Sequence, residues 1–289
     1  MWIVLCTAAM FALCTPLARF AYDAGAEPMQ VIVMRTTATI LAGICAAHVT
    51  EGGVIRAVTR ITKPRLALLA GFFSVVQGVF YVIAVKYIPV GLAAIIFFLW
   101  PILVAIFAPR IFDSRWPSTG MMAIFLGAFG GLVIAIGPQW QTLQGTGVLA
   151  AFCGAVCFAG FVISLKACLQ DNPPTAMIIL GIPPSLIPIL AYWAWGGFTF
   201  LPDQNFAWWG LGLGSLAYVM GILLQLWALK RVKAEDAAIL YNLEPVISIL
   251  FAAALLGERL VWSQYLGGGI IIGMVFLYDW RKHKLAGDA

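Results

Sequence analysis

The segment "AVKYIPVGLAAIIFFLWPILVAIFA", residues 84–108, recurs in altered form as "ALKRVKAEDAAILYNLEPVISILFA", residues 228–252. Aligned without a gap, the two segments are identical at nine of 25 positions, and Pro101 meets Pro245. The offset is 144 residues in a chain of 289, so each segment lies in its own half. Self-similarity at a fixed offset predicts that the chain consists of two related halves.

The composition is that of a membrane protein. Hydrophobic residues make up 63% of the chain and charged residues 10%, whereas soluble domains carry about 25% charged residues. The apolar residues form runs of roughly 20, the length that crosses a hydrocarbon core of about 30 Å. Because backbone groups in lipid must be satisfied within their own segment, the runs should be helices, and the alternating segments of a barrel are missing. We predict an all-α integral membrane protein with ten transmembrane helices, at residues 2–21, 29–47, 66–85, 90–108, 118–137, 147–167, 175–196, 206–228, 236–256 and 262–280.

The basic residues indicate how the chain is oriented. If the N-terminus is cytoplasmic, 13 Lys and Arg residues lie inside and three outside, and Arg35 lies within a span. This asymmetry follows the positive-inside rule and predicts that both termini are cytoplasmic. The net charge of +5 is therefore explained by membrane topology, and we expect the lipid bilayer and no nucleic acid as partner.

Five spans in each half would give the halves opposite orientations in the membrane. Inverted-topology repeats are typical of secondary transporters, in which the halves rock around a site at their interface. We therefore predict a first repeat at residues 1–137, a linker at 138–146, a second repeat at 147–280 and a basic cytoplasmic tail at 281–289. In the fifth and tenth spans, "GAFGG" (127–131) and "GIIIG" (269–273) hold glycines four apart, a spacing that favours close helix packing or a dimer contact.

The paired "AA-I…L-P" pattern of spans four and nine, together with "LLGERL" at residues 255–260, resembles the EamA branch of the drug/metabolite transporter superfamily. The resemblance covers essentially the whole chain. In the first half "FDSRW" replaces the corresponding Gly-Glu turn, so Glu258 has no counterpart there. Aromatic content and length look most like an aromatic-amino-acid exporter of that superfamily. The resemblance implies a transporter and no enzyme activity.

Two charges inside spans are the first candidates for a solute site. Arg35 lies in the second span and Glu244 in the ninth. Charges inside a membrane are costly, so they line polar cavities or pair with each other. Both interpretations stay open, and for Arg35 the side chain could also reach out to the membrane surface.

Polar and aromatic side chains surround these charges at helical spacing. On span three, Ser74, Gln77 and Tyr81 share a face, and the 144-residue offset leads to Tyr218, Gly221 and Gln225 on span eight. On span nine, Tyr241, Glu244 and Ser248 share a face, and the matching positions on span four are Phe97, Trp100 and Val104. A polar stripe from one half and an aromatic stripe from the other predict an amphipathic chamber. The alternative for Phe97 and Trp100 is ordinary packing. The predicted cavity residues are Arg35, Ser74, Gln77, Tyr81, Phe97, Trp100, Tyr218, Gln225, Tyr241, Glu244 and Ser248.

Pro101 and Pro245 should kink spans four and nine at equivalent depth, as gates that flex or as static kinks. No phosphate-binding loop of ATP-driven proteins is present, so a gradient must supply the energy. Glu244 is the candidate proton carrier, while facilitated diffusion or exchange needs no such residue. The six cysteines lack metal-ligand spacing, and we expect neither metal nor cofactor.

We predict a secondary transporter of the bacterial inner membrane, monomeric or homodimeric. It would export small amphipathic metabolites by alternating access, and amino acids, aromatic ones first, are the favoured substrates. The alternatives are a sugar-phosphate, nucleotide-sugar or drug carrier of the same superfamily, and a channel-like pore. A sugar-phosphate carrier should contain several buried Lys or Arg residues, and here only Arg35 qualifies.

Overall fold

A computed structural model describes residues 2–88, 90–112, 117–136, 144–194, 205–257 and 259–287. These residues form thirteen helices and contain no strand, so the prediction of an all-α protein is confirmed for this part. Glu258, most of the 138–146 linker and most of "FDSRW" lie outside the described residues. The helices are α1 (Trp2–Asp23), α2 (Pro28–Glu51), α3 (Val54–Thr59), α4 (Pro64–Tyr87), α5 (Val90–Phe97), α6 (Trp100–Ile111), α7 (Thr119–Ile136), α8 (Gly145–Leu169), α9 (Pro174–Ala194), α10 (Asn205–Arg231), α11 (Ala234–Tyr241), α12 (Leu243–Leu256) and α13 (Trp262–Gly287).

Each predicted span coincides with one helix or with two consecutive helices, and only the short α3 lies between spans. By length and composition, seven helical stretches of the described chain could cross a membrane. α7, α9 and α13 cover the other three predicted spans and are outside this set. The seven stretches are Trp2–Asp23, Met29–Glu51, Pro64–Tyr81, Leu92–Ile111, Gly145–Leu169, Phe206–Arg231 and Ala234–Leu256.

Spans four and nine are each interrupted once, at matching places. α5 ends at Phe97 and α11 ends at Tyr241, four residues before Pro101 and Pro245. Proline has no N–H for the carbonyl four residues earlier, so the regular helix stops where that bond is missing. At each interruption the backbone forms a hydrogen bond between residues three apart instead of four. These bonds run from Leu99 N to Ile96 O (3.2 Å) and from Asn242 N to Ile239 O (3.2 Å). A short stretch of such bonding within a helix is a common site of bending.

The two halves of the chain interdigitate. The most extensive helix pairings are α4 with α8, α1 with α10, and α7 with α13. Each of them joins a helix before residue 137 to a helix after residue 144. The pattern is nearly symmetric, since exchange of the halves converts the α1–α10 contact into α8–α4 and the α2–α10 contact into α9–α4. The core therefore lies between the halves, with Trp100, Phe125 and Tyr241 among its buried large side chains.

Glycines allow the closest helix contacts. On α13, a Cβ at Gly267 would lie 2.3 Å from the backbone oxygen of Gly131 on α7. A Cβ at Gly127 would lie 2.8 Å from the Met274 side chain. Gly269 and Gly273 have nothing within 4 Å of an added Cβ, so they take no part in this contact. Of the two glycine motifs, the one on α7 packs within the chain and the one on α13 faces outward.

Polar contacts outside the spans tie chain segments together. The Asn172 side chain accepts a hydrogen bond from Thr62 N (2.8 Å) and donates one to Cys168 O (2.9 Å). Next to it, Lys63 forms an ion pair with Asp171 (2.6 Å). The hydrogen bond between Lys63 and the Asp171 carboxylate raises the pKa of the exposed Lys63 ammonium. Residues 62–63 and 171–172 must therefore lie on the same side of the membrane.

At the start of α11, the buried Asp236 carboxylate contacts two side chains. It accepts a hydrogen bond from the Tyr278 hydroxyl (2.7 Å) and pairs with Lys282 (2.6 Å), both on α13. A buried carboxylate is stable when it is hydrogen-bonded and paired in this way. This cluster fixes the end of α13 to α11.

Candidate functional site

A cavity of about 120 Å³ lies between α2, α4, α8, α9 and α10. Both halves contribute to its wall, and the apolar part of the lining includes Phe161, Leu165, Met177, Ile178 and Ile222. An apolar wall with a few polar side chains is the usual composition of a small-molecule site. The polar lining residues are Thr36, Thr39, Ser74, Tyr218 and Gln225.

Three of the predicted site residues, Ser74, Tyr218 and Gln225, line this cavity. Gln77 lies one turn from Ser74 and donates a hydrogen bond to the Ser74 carbonyl (3.0 Å). Thr36 and Thr39 also line the cavity and are not among the predicted residues. The polar run "RTTAT" at residues 35–39 in an otherwise apolar helix was the signal that could have revealed them.

Four other predicted residues belong to an aromatic cluster between the halves. Its centre is Phe158 on α8, whose ring centroid is 5.3 Å from that of Phe97 and 4.9 Å from that of Trp100. Tyr81 is 5.3 Å from Phe97, and Tyr241 is 5.8 Å from Trp100. Trp100 and Tyr241 are each 2% exposed, so in this conformation they pack in the core. The central position of Phe158 has no sequence signal, because a phenylalanine in an apolar helix is ordinary.

Tyr241 connects the aromatic cluster to the polar residues. Its hydroxyl is buried and has no hydrogen-bond partner among the described residues. Thr7 and Gln225 are its polar neighbours, and Gln225 lines the cavity. The Tyr241 hydroxyl therefore lies where the aromatic cluster meets the polar side of the cavity.

Glu244 lies in the first turn of α12, directly after the helix interruption. The partial positive charge of a helix N-terminus favours a carboxylate there by about 0.3–1 kcal/mol. No ion pair or hydrogen bond to its side chain occurs within the described residues, but its charge acts on Cys14, Tyr81 and Tyr241. Ser248 follows one turn later, partly buried, and is not part of the cavity wall.

Arg35 points from α2 towards α1 and α10. Its Nη2 donates a hydrogen bond to the Cys14 carbonyl (2.9 Å), and its guanidinium carbon lies 5.6 Å from the ring centroid of Tyr218. The side chain is therefore held among helices by these contacts. No ion pair joins it to Glu244 in the described part of the chain.

The fold and the two-part chain can be compared with known proteins. The EamA-like transporter family matches residues 1–136 and, a second time, residues 145–278. The chain belongs to this family. Members of the EamA family are transporters, so the resemblance predicted from the paired prolines and "LLGERL" is confirmed at the level of the family, and the chain is a transporter rather than an enzyme.

Individual relatives are distant. An uncharacterized transporter of Synechocystis is 26% identical over 226 residues, covering 75% of this chain and 67% of its own length. The threonine/homoserine exporter RhtA of Escherichia coli is 25% identical over 223 residues, covering 73% of this chain and 70% of its own. A transporter of Archaeoglobus fulgidus is 24% identical over 229 residues, with 79% and 80% covered.

One solved crystal structure has the same fold. It superposes with a TM-score of 0.78 over 98% of this chain and 98% of its own, at 18% identity. At this identity the likeness concerns the fold alone.

Proposed function

We propose that this EamA-family protein is a secondary transporter that exports amino acids through the cavity between its halves. The observation that carries the proposal is the composition of the cavity wall, where Thr36 and Ser74 of the first half face Tyr218 and Gln225 of the second. A site shared by two halves can be exposed to either side of the membrane when the halves rock, as alternating access requires.

The proposed architecture is ten transmembrane helices in two inverted-topology repeats, residues 1–137 and 147–280, with the linker 138–146 between them. The family matches once in each half, and exchange of the halves preserves the main helix pairings, which supports a pseudo-two-fold relation. The proposed location is the bacterial inner membrane with both termini and the basic 281–289 tail in the cytoplasm. The contacts of Thr62 with Asn172 and of Asp236 with Lys282 support this topology, because it places each pair on one side.

The proposed substrate class is small zwitterionic amino acids. The relative RhtA is a threonine/homoserine exporter, and the cavity of about 120 Å³ is smaller than the roughly 150 Å³ that holds a benzene molecule. A small hydroxylated amino acid would need less rearrangement than an aromatic one. The narrower resemblance to the aromatic-amino-acid exporter YddG rests on aromatic content and chain length and remains a prediction.

The observations favour a carrier over the other candidates. A sugar-phosphate or nucleotide-sugar carrier should show several cations at its site, whereas no Lys or Arg lines the described cavity wall and Arg35 adjoins it through Tyr218. A channel-like pore would give no countertransport, whereas a drug carrier of the family would. The interruptions before Pro101 and Pro245 are the proposed gating positions, and Glu244 is the proposed residue for proton coupling.

Countertransport in proteoliposomes tests the proposal. Vesicles loaded with unlabelled threonine, homoserine, phenylalanine or tryptophan are diluted into a trace of the same labelled amino acid, without an ion gradient. We expect transient accumulation with threonine or homoserine. Accumulation with phenylalanine or tryptophan alone would contradict the argument from the cavity volume. If no amino acid accumulates, with or without an imposed pH gradient, the amino-acid assignment is wrong.

A further inference from the structure

Arg35 is a cation well inside the membrane part of the chain. It lies seven residues after Pro28, the first residue of α2, which places it about 10 Å along the helix. A guanidinium at such depth is costly unless its N–H groups and its charge are satisfied. The groups that contact the Arg35 guanidinium therefore indicate which kind of ligand it binds.

The protein satisfies Arg35 only in part. A guanidinium has five N–H donors. One hydrogen bond runs from Nη2 to the neutral Cys14 carbonyl, while the buried Nε has no partner among the described residues. No ion pair between Arg35 and a carboxylate occurs among the described residues. A buried donor and a positive charge are left available for an anion.

The guanidinium adjoins the cavity. It lies over the ring of Tyr218, and Tyr218 lines the cavity. The next residue, Thr36, lines the same cavity, and the Thr39 hydroxyl both lines it and donates to the Arg35 carbonyl (2.8 Å). The stretch of α2 that carries Arg35 is therefore part of the cavity wall.

We propose that Arg35 binds the carboxylate of the transported solute, and that the Tyr218 ring holds the guanidinium at the edge of the cavity. The planar guanidinium can give a carboxylate two parallel hydrogen bonds. Glu244, the other intramembrane charge without an ion-pair partner in the described residues, carries the sign that an ammonium group requires. This inference rests on the proposed function and deepens it, since it makes the α-carboxylate the group that the site selects.

The test compares threonine with its amino alcohol, in which CH₂OH replaces the carboxylate, as competitors of labelled threonine in countertransport. In the wild type we expect the alcohol to compete at least tenfold more weakly. In Arg35→Gln the half-saturation concentration of threonine should rise at least tenfold, while inhibition by the alcohol changes less than twofold. Arg19→Gln is the matched control, because Arg19 is exposed and pairs with Asp23, and it should behave as the wild type.

The outcomes separate the two proposals. Absence of countertransport in the wild type contradicts the proposed function itself. Countertransport with unchanged selectivity in Arg35→Gln, or equal weakening of both competitors, contradicts only the role of Arg35. Strong competition by glucose 6-phosphate that disappears in Arg35→Gln would assign the guanidinium to phosphate and overturn the carboxylate assignment.

Arg35→Lys provides the same test if Arg35→Gln does not fold. Lysine keeps the charge but loses the planar fork. The half-saturation concentration of threonine should then rise three- to tenfold and the preference over the alcohol should shrink. Wild-type values for both quantities in a monodisperse Arg35→Lys preparation would overturn the proposal.

Discussion

At the scale of single residues, the contrast between Glu244 and Asp236 is informative. Both are acidic residues of the ninth predicted span. Asp236 accepts a hydrogen bond from Tyr278 and pairs with Lys282, whereas the Glu244 side chain has neither kind of contact in the described chain. Two partners hold the Asp236 carboxylate in place, which gives it a structural role. The Glu244 carboxylate has no such partner in the described chain and remains the proposed residue for proton coupling.

This contrast predicts the effect of Glu244→Gln. We expect any stimulation by an imposed pH gradient, measured relative to the variant's own countertransport without a gradient, to fall at least fivefold. The reason is that glutamine keeps the size but cannot carry the proton. Labelled threonine uptake with and without a pH gradient measures both quantities. Asp236→Asn is the matched control and should keep its response to the gradient, and equal stimulation of Glu244→Gln and wild type would exclude Glu244 as the proton carrier.

The sequence was most informative about the cavity where a side chain is unusual for its surroundings. Ser74, Tyr218 and Gln225 are polar residues at helical spacing in apolar segments, and the structure places all three on one cavity. Phe97, Trp100 and Tyr81 were predicted by the same periodicity, yet in this conformation they pack around Phe158. Periodicity shows which residues share a face of a helix, but it does not show whether that face meets a cavity or another side chain.

At the scale of helices, the contact between α7 and α13 depends on the lack of a side chain at Gly267. Gly267→Ala would place a Cβ 2.3 Å from the Gly131 oxygen and 2.4 Å from the Ala135 nitrogen, two backbone atoms that cannot rotate away. We expect a loss of about 1–3 kcal/mol in the free energy of unfolding, the usual cost of overpacking. Gly269→Ala, two residues away and open on that side, is the control.

Thermal unfolding of the purified variants in detergent measures this difference. Gly267→Ala should unfold several degrees below the wild type, and Gly269→Ala should unfold within about one degree of it. Equal unfolding temperatures for the two variants would show that α7 and α13 are not in the close contact described.

The interrupted spans show an asymmetry between their two ends. α6 packs against α11, but the equivalent pairing of α5 with α12 is not among the extensive contacts of the described residues. In the proposed topology α6 and α11 are the cytoplasmic halves of their spans. We propose that the α6–α11 contact is the cytoplasmic gate of the transport cycle.

This interpretation predicts that a larger side chain in the α6–α11 contact slows transport. Ala238 of α11 is fully buried in the core cluster that also contains Val104 and Ala105 of α6, and Ala238→Leu should push α6 and α11 apart and lower the rate of threonine countertransport at least fivefold. Ala254→Leu adds the same atoms at an exposed position of α12 and should leave the rate within twofold of the wild type. A wild-type rate for a folded Ala238→Leu variant would argue against the gate.

The sequence predicted these helices better than their interruptions. The ten apolar runs agree with helix positions, and by length and composition seven helical stretches of the described chain could cross a membrane. The prolines predicted a disturbance in spans four and nine, and the structure places it at the residue that would have bonded to the missing N–H, four positions earlier. The approach of Gly267 to Gly131 could not be predicted, because it depends on how the two halves dock.

At the scale of the whole molecule, the ten-span topology can be tested from outside the cell. Single cysteines replace Val261, predicted to be outside, and Thr59, predicted to be inside; both side chains are exposed. We expect a membrane-impermeant maleimide to label Val261→Cys in intact cells and Thr59→Cys only after permeabilisation. The wild type provides the background of the six native cysteines. Labelling of both positions in intact cells would contradict the proposed orientation.

The interdigitation of the halves also constrains the order in which the helices can pack during synthesis. A ribosome adds about 5–20 residues per second, so the second half emerges roughly 10–30 seconds after the first. During that interval α1, α2 and α4 are in the membrane while α8, α9 and α10, on which they finally pack, do not yet exist. Until the second half is inserted, the small residues and Arg35 of the early helices lack the α8–α10 surfaces on which they finally pack, so the core cannot form before the chain is almost complete.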